Sequence, residues 1–140
     1  MTAQHLLADQ LADAGYQLDK LLEGMPEAAL DHKVTPGAMT PREQVAHLME
    51  AYHAFLETTA GRKHEWGSYR PVAQDTSALI SEFKVKRAQA VAAALDPANE
   101  AKLHEAHEFL IGHDYYHVGQ MCLARIATQP DWNCYAIYRE

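Results

Sequence analysis

The sequence predicts an all-α four-helix bundle, folded as one domain over residues 1–140. Three observations carry that expectation. Apolar residues recur at steps of three and four in separate stretches, as on the buried stripe of a bundle helix. Capping residues and breakers bound those stretches. No stretch alternates apolar and polar residues as a half-buried strand would.

The first helix is placed at about 3–23 on its seam of Leu7, Leu11, Ala14, Leu18 and Leu21, with Thr2 able to cap it. Gly24 and Pro26 end it, and a loop extends over about 24–39. The second starts at Thr40-Pro41-Arg42-Glu43, where Thr40 is the N-cap, Pro41 the first helical residue and Glu43 the partner that completes a capping box. Its seam is Val45, Leu48, Tyr52, Phe55 and Thr59, and the helix spans about 40–60. Gly61, Gly67 and Pro71 make 61–74 a long loop, able to serve as a crossover between helices 2 and 3. A third helix is expected over about 75–95, capped by Asp75 or Thr76. Its stripe of Ile80, Phe83, Val91 and Ala94 is ragged, because Lys84, Lys86 and Arg87 crowd the middle. Asp96-Pro97 stops it and opens a fourth helix over about 98–128, with Leu103, Ala106, Leu110, His113, His117, Met121, Ala124 and Thr128 in one stripe. The aromatic tail from Trp132 to Tyr138 is expected to pack back on the bundle.

Composition narrows the function. Twelve Lys plus Arg against nineteen Asp plus Glu leave a net charge of −7. That argues against nucleic acid and against anionic membranes, both of which call for a basic face. No apolar run approaches the ~18 residues of a membrane span, and the first residues do not read as a signal peptide. Cys122 and Cys134 form no close-spaced motif, which fits a reducing cytoplasm.

Chemistry concentrates in Gly112-His113-Asp114-Tyr115-Tyr116-His117. Residues four apart share a helix face, so His113 and His117 can offer two imidazoles to one metal ion. The spacing alone is a weak signal among nine histidines. Both lie inside the apolar stripe, however, where an unpartnered imidazole is costly. The alternative is a pair of core imidazoles bonded to backbone or tyrosine hydroxyls. Catalytic zinc takes three protein ligands and keeps an open position. His47 is the candidate third, although it lies about 100° round the helix from Leu48 by the 3.6-residue period. His104 and His107 sit among acidic residues and read as a solvated face, while His5, His32, His53 and His64 show no constellation. A zincin would need Glu where Asp114 stands, and a di-iron bundle would need a second Glu-x-x-His where Gln44 precedes His47. Cys122 reads as a small core residue. No phosphate loop or nucleophile elbow is present.

Glu43-Gln44-Val45-Ala46-His47-Leu48, with His113-Asp114-Tyr115-Tyr116-His117-Val118-Gly119-Gln120-Met121 late in the chain, resembles the DinB/YfiT-like superfamily, over nearly the whole chain. The resemblance implies a four-helix bundle whose divalent metal, Zn²⁺ or Ni²⁺, is held by His47, His113 and His117. It implies a homodimer, and an enzyme that uses a low-molecular-weight thiol such as mycothiol, bacillithiol or glutathione as cosubstrate for a small-molecule substrate. A metal-dependent hydrolase and a non-catalytic metal or small-ligand binder are the alternatives. Three neutral imidazoles would leave the ion its full charge, able to lower the pKa of a water or thiol at its open position. No protein nucleophile would then be needed, and Glu50, one turn beyond His47, is the candidate base.

Overall fold

The computed structural model describes residues 1–139, and no strand occurs among them. The helices are α1 (Ala3–Leu22), α2 (Glu27–Leu30), α3 (Pro41–Thr59), α4 (Thr76–Leu95), α5 (Leu103–Ala106) and α6 (His113–Thr128). A wide π turn over His107–Gly112 joins α5 to α6, and 3₁₀ turns lie at Pro97–Lys102 and Cys134–Ile137.

The caps explain where the chain turns helical. The Thr2 hydroxyl accepts from the His5 N–H, and the Asp75 carboxylate from the Ala78 N–H. At α3 both halves of the capping box form: the Glu43 N–H donates to Thr40 Oγ1, and the Glu43 side chain accepts from the Thr40 N–H. Each cap satisfies a donor that a helix start would otherwise leave unpaired. The expected loop 24–39 contains the short helix α2, which buries Ala29 and Leu30.

Four long helical runs form the bundle. α1 packs on α4 and α6, and α3 packs on the same two. Arg42 Nη1, at the start of α3, donates to Thr76 Oγ1 at the start of α4, 2.8 Å away. Those two helices therefore begin at the same end, and 60–75 must travel back along the bundle before α4 can start. α1 and α6 also run parallel to each other. Their C-terminal ends are tied by Arg125, whose Nη1 donates to the carbonyls of Leu21 at 2.6 Å and Glu23 at 2.9 Å. These are carbonyls that a helix end leaves without partners. The tail packs back: Ile137 is buried, and the Trp132 ring lies 4.6 Å from the Arg125 guanidinium.

The fourth helical run differs from the regular helix expected. It opens as a 3₁₀ turn and widens into the π turn before α6. A π turn adds one residue to a helical turn, and the buried face of α6 takes in Asp114, Val118 and Arg125 beside the expected His117, Met121 and Ala124. Asp114 is thereby carried into the core, fully buried. It meets the Tyr52 hydroxyl, which donates to Oδ1. Arg87 donates to Oδ2 from Nη2 at 2.8 Å and from Nε at 3.2 Å. The ragged stripe of the third helix is thus explained: Arg87 reaches inward while its lysine neighbours stay out. It needs room on α1, where a Cβ added at Gly15 would stand 2.6 Å from Arg87 Nη1. Burial opposes both charges. In Asp114 burial is the stronger effect and raises its pKa above the usual carboxylate range, whereas the neighbouring carboxylate holds Arg87 above its own ordinary value despite burial. We take the pair as ionised at neutral pH, because a forked guanidinium and a hydroxyl all donate to one carboxylate.

Candidate functional site

The fold brings His47, His113 and His117 together. The His47 ring centroid lies 5.1 Å from that of His117 and 5.6 Å from that of His113, and the two α6 rings are 6.1 Å apart. The angular offset of His47 is resolved by the breadth of the buried face of α3. Gln44, Ala51 and Ala54 are buried along with the seam residues Val45, Leu48, Tyr52 and Phe55, because α3 packs on two helices at once.

Each α6 histidine is oriented through its Nδ1. Gln44 Nε2 donates to the Met39 carbonyl at 3.2 Å, which turns Gln44 Oε1 toward His117 Nδ1, 2.9 Å away. An amide oxygen only accepts, so Nδ1 carries the proton and Nε2 keeps its lone pair. His113 Nδ1 stands 2.9 Å from the Glu108 carbonyl at the π turn, and the same logic leaves its Nε2 as an acceptor. Metal-ligating histidines are held in this way, by a hydrogen bond at the other ring nitrogen.

Burial pushes the His117 pKa down to about 4, and the neighbouring His47 and His113 rings add to it. Burial likewise lowers His47, with His113 adding and Glu50 opposing. Both are neutral near pH 7. Without metal, this gives stability a pH dependence with a definite sign. An unfolded histidine takes its proton near 6.5, so between about 4 and 6.5 the unfolded chain binds protons that native His117 refuses. Stability therefore rises with pH through that window and is complete above it. Urea denaturation of metal-free protein should show a loss of up to about 3 kcal/mol from pH 7 to pH 4 in excess of a His117→Gln variant. Parallel curves for the two would contradict it.

Four residues that shape the site stand outside the candidates that spacing identifies. Gln44 lies three residues before His47, on the same helix face, and that spacing is a usable signal for it. Asp114 lies beneath the α6 histidines. His64 and Trp66 come from the loop. His64 shows no constellation in the sequence, yet its Nε2 lies 2.9 Å from Glu50 Oε1, and the Trp66 ring is 6.2 Å from that of His47. No sequence signal places a loop residue of this kind. His104 and His107 are exposed, as expected for a solvated face.

Glu50 is buried. Burial raises its carboxyl pKa, but the hydrogen bonds from His64 and the Gly67 N–H, with the nearby imidazoles, bring it below the usual value. Burial and nearby Cys134 push the Cys122 thiol up to about 11, so at neutral pH it is a thiol and a poor nucleophile. Cys122 lines an apolar groove of about 570 Å³ between α1, α6 and the tail, together with Tyr115, Val118 and Ile137. None of the three clustered histidines lines that groove.

A helical bundle with an imidazole triad set between two of its helices defines a class of histidine-bearing bundle proteins. The family model described as the DinB superfamily matches residues 10–121, and the chain belongs to that superfamily. No curated protein and no solved structure matches it. Among the described residues no helix is long and apolar enough to cross a membrane.

Proposed function

We propose that this DinB-superfamily protein binds one divalent metal ion, Zn²⁺ or Ni²⁺, through His47, His113 and His117, and uses it in a reaction of a low-molecular-weight thiol with a small electrophile. The observation that carries the proposal is the pair of Nδ1 hydrogen bonds, from His117 to Gln44 and from His113 to Glu108. They leave two Nε2 lone pairs beside a third imidazole.

The spacing of the donors bears on how well they suit the ion. Among the described residues no three His, Cys, Asp or Glu side chains are already close enough to hold a metal. Three imidazoles on a tetrahedral ion at about 2.0–2.1 Å need ring centroids about 5 Å apart. The pair His47–His117 is at 5.1 Å, while His113 stands 5.6 and 6.1 Å from the other two. A shift of roughly an ångström in His113, a partly exposed side chain, completes the set. The donors fit in type, in protonation and nearly in place.

When bound, such an ion supplies Lewis acidity, lowering the pKa of a thiol or water beside it. The residues do the rest. Gln44 and the Glu108 carbonyl hold the tautomers, and the buried Asp114 pair beneath His113 and His117 fixes the start of α6. No side chain is required as nucleophile, in keeping with the raised thiol of Cys122. A homodimer belongs to the same proposal. Its support is the exposure of Tyr116 and Leu123 on α6 and of Tyr135 and Tyr138 in the tail.

The test compares metal-loaded and metal-free protein with mycothiol, bacillithiol and glutathione against a chlorodinitrobenzene electrophile. The loaded form should conjugate at least one thiol faster. Equal rates with all three would remove the transferase reading and leave a hydrolase or a binder.

A further inference from the structure

The loop that returns the chain along the bundle is held to α3 at points close to the triad. His64 Nε2 and the Gly67 N–H both meet Glu50 Oε1, the first at 2.9 Å. The Tyr69 ring stacks on His53 with centroids 5.0 Å apart. Gly67 turns at φ +89, a conformation that costs glycine little and other residues much. Between the two Glu50 contacts stands Trp66. Its ring is 5.1 Å from His64, 6.2 Å from His47 and 6.2 Å from Phe109 of the π turn. The indole is set on one side against these rings, yet it remains 49% exposed.

Two features of Glu50 bear on its role. A buried carboxylate is costly unless hydrogen bonds satisfy it, and here the donors come from the loop. Both donors meet the same oxygen, Oε1, so this carboxylate ties residues 64–67 to α3. Trp66 is the opposite kind of group: a large flat apolar surface left open beside the imidazoles of His47 and His64. Such a surface pairs with rings and flat apolar groups by offset stacking.

We propose that Glu50 is a positioning residue, and that Trp66, which it holds beside His47, is the specificity-determining wall of the site. Ligands carrying a flat apolar group next to the atom bound at the triad are favoured. The wall assignment rests on the triad being the ligand-binding centre; the positioning role of Glu50 does not.

The experiment has two arms. The chain has two tryptophans, so a Trp132→Phe background makes Trp66 the sole reporter. In metal-free protein, Glu50→Ala should shift Trp66 emission to the red and increase its quenching by acrylamide. Glu50→Gln keeps an accepting oxygen without a base, and its emission should stay close to the parent. His64→Ala, which leaves α3 intact, should move emission in the direction of Glu50→Ala, and it serves if that variant does not fold. In the second arm, Ni²⁺-loaded protein is titrated with acetohydroxamate and benzohydroxamate, which differ by a phenyl in place of a methyl. The phenyl compound should bind up to about tenfold tighter, the scale of one aromatic pair. That preference should fall toward unity in Trp66→Ala and Glu50→Ala and persist in Glu50→Gln. Emission in Glu50→Gln displaced as far as in Glu50→Ala would overturn the positioning role. A phenyl preference that survives Trp66→Ala would overturn the wall. If the parent binds no Ni²⁺, the wall falls with the triad, and fluorescence alone decides Glu50.

Discussion

His117→Ala is expected to abolish stoichiometric binding of Zn²⁺ or Ni²⁺ and, with it, the thermal stabilisation that metal brings. A ligand that binds only the native state at about a hundred times its Kd adds about 2.7 kcal/mol. For a chain of this size that is roughly 8–10 °C in Tm. The informative quantity is the difference in Tm with and without metal, because it cancels the cost of emptying the His117 site. The parent should show the shift and the variant none. Gln44→Ala should keep the triad but release the His117 tautomer, weakening metal binding by about 10–100-fold. A full metal shift in His117→Ala would mean that the triad is not the metal centre.

The second large effect lies beneath the site. Arg87→Met should cost about 3–5 kcal/mol, because it leaves the fully buried Asp114 carboxylate without its cation. Replacing both partners with apolar residues, as in Arg87→Met with Asp114→Leu, should recover a large part of that loss, since the desolvation penalty then disappears. The Tyr52 hydroxyl, which donates to Asp114, loses its acceptor in the double variant and limits the recovery. Urea denaturation midpoints at constant slope measure both. A loss below about 1 kcal/mol in Arg87→Met would mean that the pair is solvated rather than buried.

The expected helices and the observed ones correspond closely where local signals exist. The Thr40-Pro41-Arg42-Glu43 start produced the capping box, and Asp75 caps α4. The match weakens where the signal is not local. Periodicity predicts one regular helix for the fourth run, but the π turn at His107–Gly112 interrupts it. The glycine that ends that turn carries no marking that distinguishes it from an ordinary helical glycine. With that added residue the buried face of α6 takes in Asp114, Val118 and Arg125 beside the expected His117, Met121 and Ala124. A 3.6-residue template applied without interruption cannot anticipate that.

The candidate site divides along the same line. The i, i+4 spacing of His113 and His117 is a property of the helix itself, and therefore of the sequence. The convergence of His47 on them depends on α3 packing against α4 and α6 together, which broadens its buried face beyond the seam that periodicity identifies. Gln44, Arg87, His64 and Trp66 entered only through contacts between elements.

By itself, the sequence determined an all-helical bundle, its caps and breakers, its seams and the histidine pair on its last helix. Each of these is written in residues within a few positions of one another, where backbone geometry alone dictates the outcome. Tertiary structure decided the partner of Arg87, the second role of Gln44, and the hold of Glu50 on the loop that places Trp66 beside His47. Those contacts join residues 14 to 73 positions apart. Their energies depend on burial and on donor–acceptor geometry, which exist only once the helices have packed.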